Sequence, residues 1–487
     1  MNETRKQLAA TRAGIQTEGQ AEGQAKGQLQ RQPQRPTHGS LPLAFAMLWL
    51  FTLLLYVRPN EVFPSLFGDF PLVKIVAALA LPAYFGGRLA RGEALTVWTT
   101  ELRAVLLICG LGVLFLPLAA SPGDSWKTLV DVYLKVVCIF FLLTNLLDTR
   151  ARLHSILKLV VAWGAVLGLD AVYSFASGKF SNHEHRIEGL VKGIFGNPND
   201  LAIALNLLLP LAVALAMGNR GWKRVFYIAC ALAMGMGVVA TFSRGGFLGL
   251  LAAGSVLLWK LGRSRRTAAV LTVVLVCGAF LMFMPREYGG RISTILSSDA
   301  DKTGSSQERR ELLKRAADVA LRHPIIGVGI GNYHIYSIKE KLAHNAYLEI
   351  AAELGVAGLL AYLVLILTPL RSMRRVERET DAALRAAPDA DARARLHDSH
   401  ILSIALQAAF AAYIVCSLFG SVQYQWFLYY IAAYAVAVRR IHAAEQSDAT
   451  ETEPATIEIA PALHGSVPPR TRLGRMKPEI VETGARL

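Results

Sequence analysis

The sequence predicts an all-α, polytopic membrane protein with about twelve transmembrane helices and one large helical loop. Hydrophobic residues make up 53% of the 487 residues and charged residues only 18%, whereas a soluble protein carries roughly 25% charged residues. Apolar runs that approach the length of a membrane span, about 20 residues, recur along most of the chain. This composition argues against a soluble multidomain enzyme.

Twelve apolar runs indicate the predicted spans. They cover residues 41–57, 70–86, 102–120, 129–147, 154–177, 200–217, 225–242, 245–261, 267–284, 345–370, 401–418 and 423–438. The flanking tails, residues 1–40 and 441–487, are predicted to be disordered. Residues 1–40 are rich in Gln and Gly and lack an apolar core, so they are not typical of a signal peptide.

The distribution of Lys and Arg predicts the orientation of the spans. Twelve of these residues lie in one set of short connections, including those around Arg88 and Arg150, and six lie in the other set. Positive residues concentrate in cytoplasmic loops. The first set, and with it both tails, is therefore predicted to be cytoplasmic.

The spans divide into two groups around a long polar segment. Spans one to nine cover residues 41–284, the outer loop covers residues 285–344, and spans ten to twelve cover residues 345–440. Residues 306–322 of the outer loop predict an amphipathic helix, and the GVGIGN segment after it predicts a flexible, closely packed turn. Residues 371–400 carry charges of both signs and predict a helical hairpin on the cytoplasmic side.

The composition gives no indication of nucleic acid, metal or cofactor. The net charge is +15, but most positive residues lie in short connections, where they set topology. The five cysteines lie inside apolar runs without the CxxC spacing of metal sites. The outer segments offer neither a P-loop nor a carboxylate cluster suited to Mg²⁺, so we expect no metal and no cofactor.

The outer segment 181–200 ends in the letters NPND, directly before the sixth predicted span. Asn199 or Asp200 is suited to cap that helix, and Arg186 lies in the same segment. Two interpretations are open. The segment is a capped turn with an exposed arginine, or Arg186, Asn197 and Asn199 contribute to a binding site.

Arginines near the predicted outer membrane boundary are candidates for anion binding. Arg244 is followed by two glycines between two spans, and an arginine this close to the membrane needs a partner or a wet cavity. The glycines allow a ligand to approach the backbone closely. Arg291, Arg309 and Arg310 are further candidates, because a guanidinium binds phosphate bidentately. The structural alternatives are a snorkelling Arg244 and a solvated helix face for Arg309 and Arg310.

His344 and Asn345 lie where the outer loop returns to the membrane. The N-terminus of a helix disfavours an imidazolium, and a neutral imidazole is what a general base needs. Asn345 is placed to orient the ring or a substrate hydroxyl. Glu349 and Glu353 follow on one helix face, and Glu353 needs a partner inside the membrane, for which Arg244 is a candidate.

Four sequence pieces in this order resemble the O-antigen ligase and polymerase superfamily of bacterial envelope glycosyltransferases. They are RIEGLVKGIFGNPNDLA, SRGG, ERR with HPIIGVGIGNYH, and AHNAYLEIAAELGVAGLL. The resemblance covers about residues 180–370. It implies a GT-C-like glycosyltransferase of the inner membrane that takes a glycan from undecaprenyl pyrophosphate on the periplasmic side. In the ligases the acceptor is lipid A–core, and we favour a ligase because the main outer loop lies late in the chain.

The resemblance also implies roles for individual residues. The residues on the pyrophosphate would be Arg186 and Arg244, assisted by Arg291 and by Arg309 or Arg310. His344 would remove the acceptor proton, with inversion at the anomeric carbon, or would bind phosphate instead. An O-antigen polymerase or a protein O-oligosaccharyltransferase of the same superfamily remains open. A transporter or flippase for lipid-linked glycans is the alternative from another class.

Overall fold

The computed structural model describes residues 41–261 and 305–452, apart from positions 69, 71, 180–186, 188 and 388. This part of the chain contains helices and turns and no strand. The long helices are α1 (Pro42–Val57), α2 (Leu72–Leu89), α3 (Thr100–Leu114), α4 (Pro122–Leu146, with a π-helical stretch at Thr128–Tyr133), α5 (Arg150–Ala176), α6 (Pro198–Met217), α7 (Gly221–Ala240), α8 (Arg244–Leu261), α9 (Ser305–Arg322), α10 (Ala346–Arg385), α11 (Ala390–Cys416) and α12 (Trp426–Thr452). Short helices occur at Pro59–Val62, Pro64–Phe67, Lys192–Phe195 and Tyr333–Tyr336, and 3₁₀ turns at Leu116–Leu118 and Ile338–Glu340.

Nine helices of the described residues are long and apolar enough to cross a membrane. They are α1 with its extension to Val62, α2, α4, α5, α6, α7, α8, α10 and α11. Each coincides with one predicted span, and the all-α membrane fold class is confirmed. The predicted span at residues 267–284 lies outside the described residues.

Two predicted spans differ from the structure. The prediction at residues 102–120 is too long, because α3 has 15 residues and covers only about 22 Å of a hydrocarbon core of about 30 Å. The prediction at residues 423–438 corresponds to α12, which is not among the helices apolar enough to span. Tyrosines and two adjacent arginines lower the hydropathy of α12.

The predicted boundaries of the polar segments also change. The expectation of a disordered tail from residue 441 is wrong for its first part, because α12 continues to Thr452. Extending an existing helix avoids the costly nucleation step, and Ala and Glu after residue 441 are good helix formers. In the predicted segment 371–400, α10 continues to Arg385 and α11 begins at Ala390. Residues 1–40 and 453–487 lie outside the described residues.

α12 is buried on all sides from Phe427 to Val438. Inside the bundle, the hydroxyl groups of Tyr429 and Tyr430 in this helix find hydrogen-bond partners. The Tyr429 hydroxyl donates to the Gln423 carbonyl over 3.0 Å. Farther along, Arg439 donates two hydrogen bonds, of 2.8 and 3.0 Å, to the buried carboxylate of Glu101 in α3. These polar contacts fasten α12 inside the bundle.

α10 is broken at Gly355, and the outer loop fills the break. Gly355 has φ +65° and ψ −165°, a conformation essentially restricted to glycine. The α-helical pattern of backbone hydrogen bonds is interrupted there. Backbone N–H and C=O groups of the outer loop bind the α10 groups that lose their helical partners. Val328 N–H donates to Ala352 O and Gly329 N–H to Glu353 O, both over 2.9 Å, while Val356 N–H donates to Pro324 O over 2.8 Å.

The GVGIGN segment also contacts the start of α4. Ser125 Oγ donates to the Ile330 carbonyl over 2.9 Å. A Cβ on Gly331 would lie 2.2 Å from Thr128 Oγ1, in the π-helical stretch of α4. The close packing predicted for this turn is confirmed. Its glycines are needed because neighbouring protein atoms leave no room for a Cβ: the Glu353 backbone at Gly327, and side chains such as Thr128 at Gly331.

Gly355→Ala should strongly lower the stability of the protein. The substituted Cβ would lie 2.5 Å from Ile325 O, and the backbone strain alone is expected to cost about 1–3 kcal/mol. The midpoint of thermal unfolding in detergent measures the effect. Gly254→Ala in α8 is the matched control, because a Cβ there meets nothing within 4 Å and Ala favours helix over Gly by about 1 kcal/mol. Equal midpoints for the two variants would contradict the role of the break.

Candidate functional site

His344 occupies a constrained position directly before the cap of α10. Its φ of +51° lies in the left-handed region, which is uncommon for a residue other than glycine. The next residue, Asn345, is the N-cap: its side-chain oxygen accepts from Tyr347 N over 3.1 Å and from Leu348 N over 3.0 Å. His344 thus precedes the helix by one residue more than the sequence analysis assumed. The predicted substrate contact of Asn345 stays a prediction, and capping occupies its oxygen.

A network of hydrogen bonds holds the His344 backbone. The His344 N–H donates to Ser421 Oγ over 3.1 Å, and the Ser421 hydroxyl donates to Glu349 Oε2. The same oxygen accepts from Ala343 N over 3.1 Å, and Gln423 donates to Oε1 over 2.8 Å. These donors satisfy the oxygens of the buried Glu349 side chain. Through Ser421, Glu349 supports the backbone of His344.

The surroundings of His344 favour a neutral ring. Burial lowers the pKa of His344 below its ordinary range, and the charges of Arg309 and Lys341 lower it further, while Glu308 acts in the opposite direction. Glu308 itself pairs with Lys341 over 2.6 Å. Burial and the two neighbouring cations therefore favour a neutral imidazole, in addition to the helix N-terminus considered in the sequence analysis.

α9 presents one predicted arginine to this site. Leu312, Ala316 and Val319 form the buried face of α9. Arg309 is half-buried and acts on His344, whereas Arg310 is exposed. The structure thus favours Arg309 over Arg310 as the arginine beside the histidine. Arg186 and Arg291, predicted to bind the same anion, lie outside the described residues.

Arg244 is the first residue of α8 and is half-buried. The two glycines after it were predicted to admit a ligand, but protein occupies both positions. A Cβ on Gly245 would lie 2.7 Å from Phe419 Cβ, and one on Gly246 would lie 2.5 Å from Ala202 Cβ. The glycines therefore seat α8 against α6 and against the turn after α11, which positions Arg244 at a helix N-terminus.

The NPND piece is joined to the SRGG piece. Ser243 Oγ donates to Asn199 Oδ1 over 2.7 Å and accepts from Gly246 N over 3.1 Å.

The prediction that Asn199 or Asp200 caps α6 is wrong. Asn197 is the cap and accepts from Asn199 N over 2.9 Å, because the helix begins at Pro198, whose fixed φ suits the first helical position.

One turn, residues 417–421, connects the two halves of the site. Phe419 packs on Gly245 beside Arg244, while Ser421 binds the His344 backbone. The Ser417 carbonyl also accepts from Ala346 N over 2.9 Å. Sequence analysis missed Ser421, Gln423 and Lys341. The polar letters SVQ between two apolar runs were the available signal for the first two.

Glu353 supports the glycine-rich turn. The sequence suggested that Glu353 pairs with Arg244, but Glu353 Oε1 accepts from Tyr333 N over 3.2 Å. The other carboxylate oxygen is buried, and so is the Tyr424 hydroxyl; neither makes a hydrogen bond of good geometry within the described part of the chain.

The described residues contain no group of three or more His, Cys, Asp or Glu side chains that could hold a metal ion.

Comparison with known protein families gives a match to part of the chain. The model of the O-antigen ligase family matches residues 229–363, a region that includes the SRGG segment, α9, the glycine-rich turn and His344. A search of curated proteins finds no match. Members of the family are glycosyltransferase-like enzymes that act on O-antigen. The matched region, with the membrane helices around it, supports the resemblance of this chain to the O-antigen ligase superfamily.

Proposed function

We propose that this protein transfers an O-antigen glycan from undecaprenyl pyrophosphate to lipid A–core at the periplasmic face of the bacterial inner membrane. The family and the nine apolar helices indicate a multi-pass protein of that membrane. The observation that carries the finer proposal is the position of His344. The His344 ring is half-buried beside Arg309, and its surroundings favour the neutral form. The turn at residues 417–421 connects His344 to the N-terminus of α8, where Arg244 lies.

The chemistry is a single inverting displacement. The acceptor hydroxyl oxygen forms a bond to the anomeric carbon of the donor sugar, and the bond from that carbon to the pyrophosphate oxygen breaks. His344 takes the hydroxyl proton as general base. The leaving pyrophosphate gains negative charge, which Arg244 at the N-terminus of α8 and Arg309 are suited to stabilise, because both a guanidinium and a helix N-terminus attract anions.

A reconstitution with three acceptors tests the proposal. Purified protein is incubated with lipid-linked glycan and with lipid A–core, a second lipid-linked glycan or a periplasmic protein. We expect glycosylated lipid A–core in detergent as well as in vesicles. Product on one of the other two acceptors alone would reassign the protein to polymerase or protein transferase activity. Absence of any product would contradict a transferase.

The transfer should persist in excess EDTA. In the proposed mechanism guanidinium groups carry the phosphate charge that a divalent ion would otherwise carry. Initial rates measured with and without chelator should agree. Loss of product with EDTA and its return with one specific divalent ion would show that the arginines do not suffice.

A further inference from the structure

Two large apolar side chains lie exposed at the end of the loop helix. Leu321 is 80% exposed and Ile325 is 76% exposed. They flank the point where α9 ends and the chain turns at Pro324. We call residues 321–325 the elbow. Contiguous exposed apolar surface marks an interaction site.

The elbow is fixed against the break in α10. Val356 N–H donates to Pro324 O over 2.8 Å, and a Cβ on Gly355 would lie 2.5 Å from Ile325 O. The backbone of the elbow therefore lies at the level of Gly355 and Val356. Its height relative to the membrane follows from their position along α10.

Val356 lies inside the apolar stretch of α10. Arg371 is the first charged residue that follows Glu353 along the helix. Val356 precedes Arg371 by fifteen positions, which correspond to roughly 22 Å at the α-helical rise, within a hydrocarbon core of about 30 Å. With Arg371 at one boundary, Val356 and the adjoining elbow lie below the opposite boundary.

The side of α10 beneath the elbow faces outward from the bundle. Its exposed apolar residues recur at helical spacing: Val356, Leu360, Val364 and Leu367. This stripe belongs to a candidate membrane span, so its natural partner is lipid. The backbone of the elbow adjoins Val356, the first residue of this stripe, through the Val356–Pro324 hydrogen bond. This continuity favours acyl chains as the partner of the elbow.

The backbone at the break satisfies the requirement that hydrocarbon imposes. Irregular backbone at membrane depth is tolerated only where its polar groups are paired within the protein. Here Gly327 N–H donates to His323 O over 3.0 Å, and Val328, Gly329 and Val356 donate to carbonyls across the break. The elbow thus combines paired carbonyls at His323 and Pro324 with two exposed apolar side chains, and its Arg322 pairs with Asp318 over 2.9 Å.

We infer that the elbow re-enters the membrane, with Leu321 and Ile325 among the acyl chains of the leaflet opposite to Arg371. This inference does not depend on the transferase activity proposed above. The anchored elbow would hold α9 and the glycine-rich turn at the membrane surface, which fixes the height of the segment that leads to His344.

Fluorescence quenching in nanodiscs tests the inference. The full-length chain, with its native cysteines replaced, receives one cysteine as Ile325→Cys or Leu321→Cys and an environment-sensitive NBD label. Both side chains are exposed, so neither change removes core packing, and the two positions report independently. Glu311→Cys, at an exposed polar position of α9, is the matched control. We expect blue-shifted emission at 325 and 321, strong quenching by lipids with a nitroxide on the acyl chain, and several-fold weaker quenching by aqueous iodide than at 311.

Two results would overturn the inference. Iodide quenching at both elbow positions as strong as at 311 would place the elbow in water. Protection from both quenchers, together with disulfide cross-linking between two copies of the Ile325→Cys variant, would make the elbow a contact between copies of this chain.

Discussion

His344→Ala should reduce glycan transfer by about 10²–10⁴-fold, the usual cost of a lost general base. The variant should insert normally and still bind the lipid-linked donor, because the contacts that hold residue 344 use its backbone N–H and not its ring. Initial rates with lipid A–core as acceptor and a separate donor-binding measurement separate the two steps.

The pH dependence of the wild-type rate provides a second readout for His344. Only the neutral ring can accept a proton, so the rate should rise with pH through one ionisation. Burial together with Arg309 and Lys341 lowers the pKa of His344, so that ionisation should lie below the ordinary histidine range near 6.5. This rise of the rate with pH should be absent in the His344→Ala variant.

Ser421→Ala tests whether the support network acts through the histidine. Removing the hydroxyl frees the His344 backbone from its tie to Glu349, so the wild-type rate should fall. The same change in the His344→Ala background should have little further effect, because residues that act as one unit have non-additive effects on the rate.

A different outcome for His344→Ala would reassign the histidine. If this variant loses donor binding while its residual rate keeps the same rise with pH, His344 is a phosphate ligand and the base lies elsewhere. Glu349 and Glu353 would then be the next candidates.

Arg244→Ala should lower kcat/KM for transfer by about 10²–10³-fold, the scale on which one preformed charge-stabilising group contributes. Arg244→Lys should recover only part of this loss, since an ammonium cannot reproduce the bidentate fork of a guanidinium. The loss should appear with every acceptor, because the arginine is proposed to act on the donor. Product formation at equal amounts of folded protein is the measurement.

Arg375→Lys is the matched control for the arginine series. Arg375 is largely exposed and pairs with Glu379 one turn later in α10, so its replacement should leave the rate near the wild-type value. Full activity of both Arg186→Ala and Arg244→Ala would be incompatible with the proposed pyrophosphate site. A loss in Arg244→Ala accompanied by a lower unfolding temperature would point to the α8 N-terminus as a structural element instead.

The sequence by itself determined the fold class, most helix positions and the location of the candidate histidine. Hydropathy is a local property, so the apolar residues of a lipid-facing span are enough to identify it in the sequence. For this reason nine predicted spans coincide with nine helices of the described residues. Helix ends are also partly local: His323-Pro324 ends α9, and Asn345 caps α10.

Only the tertiary structure decided how the local pieces meet. α12 is enclosed by other helices, so its polar side chains contact protein groups and not lipid, as Arg439 contacts Glu101. The break at Gly355 exists because the glycine-rich turn completes its hydrogen bonds. Likewise, Ser421 supports His344 from 77 positions away in the chain. Such contacts join residues that are remote in sequence, and no local pattern of hydropathy or capping specifies them.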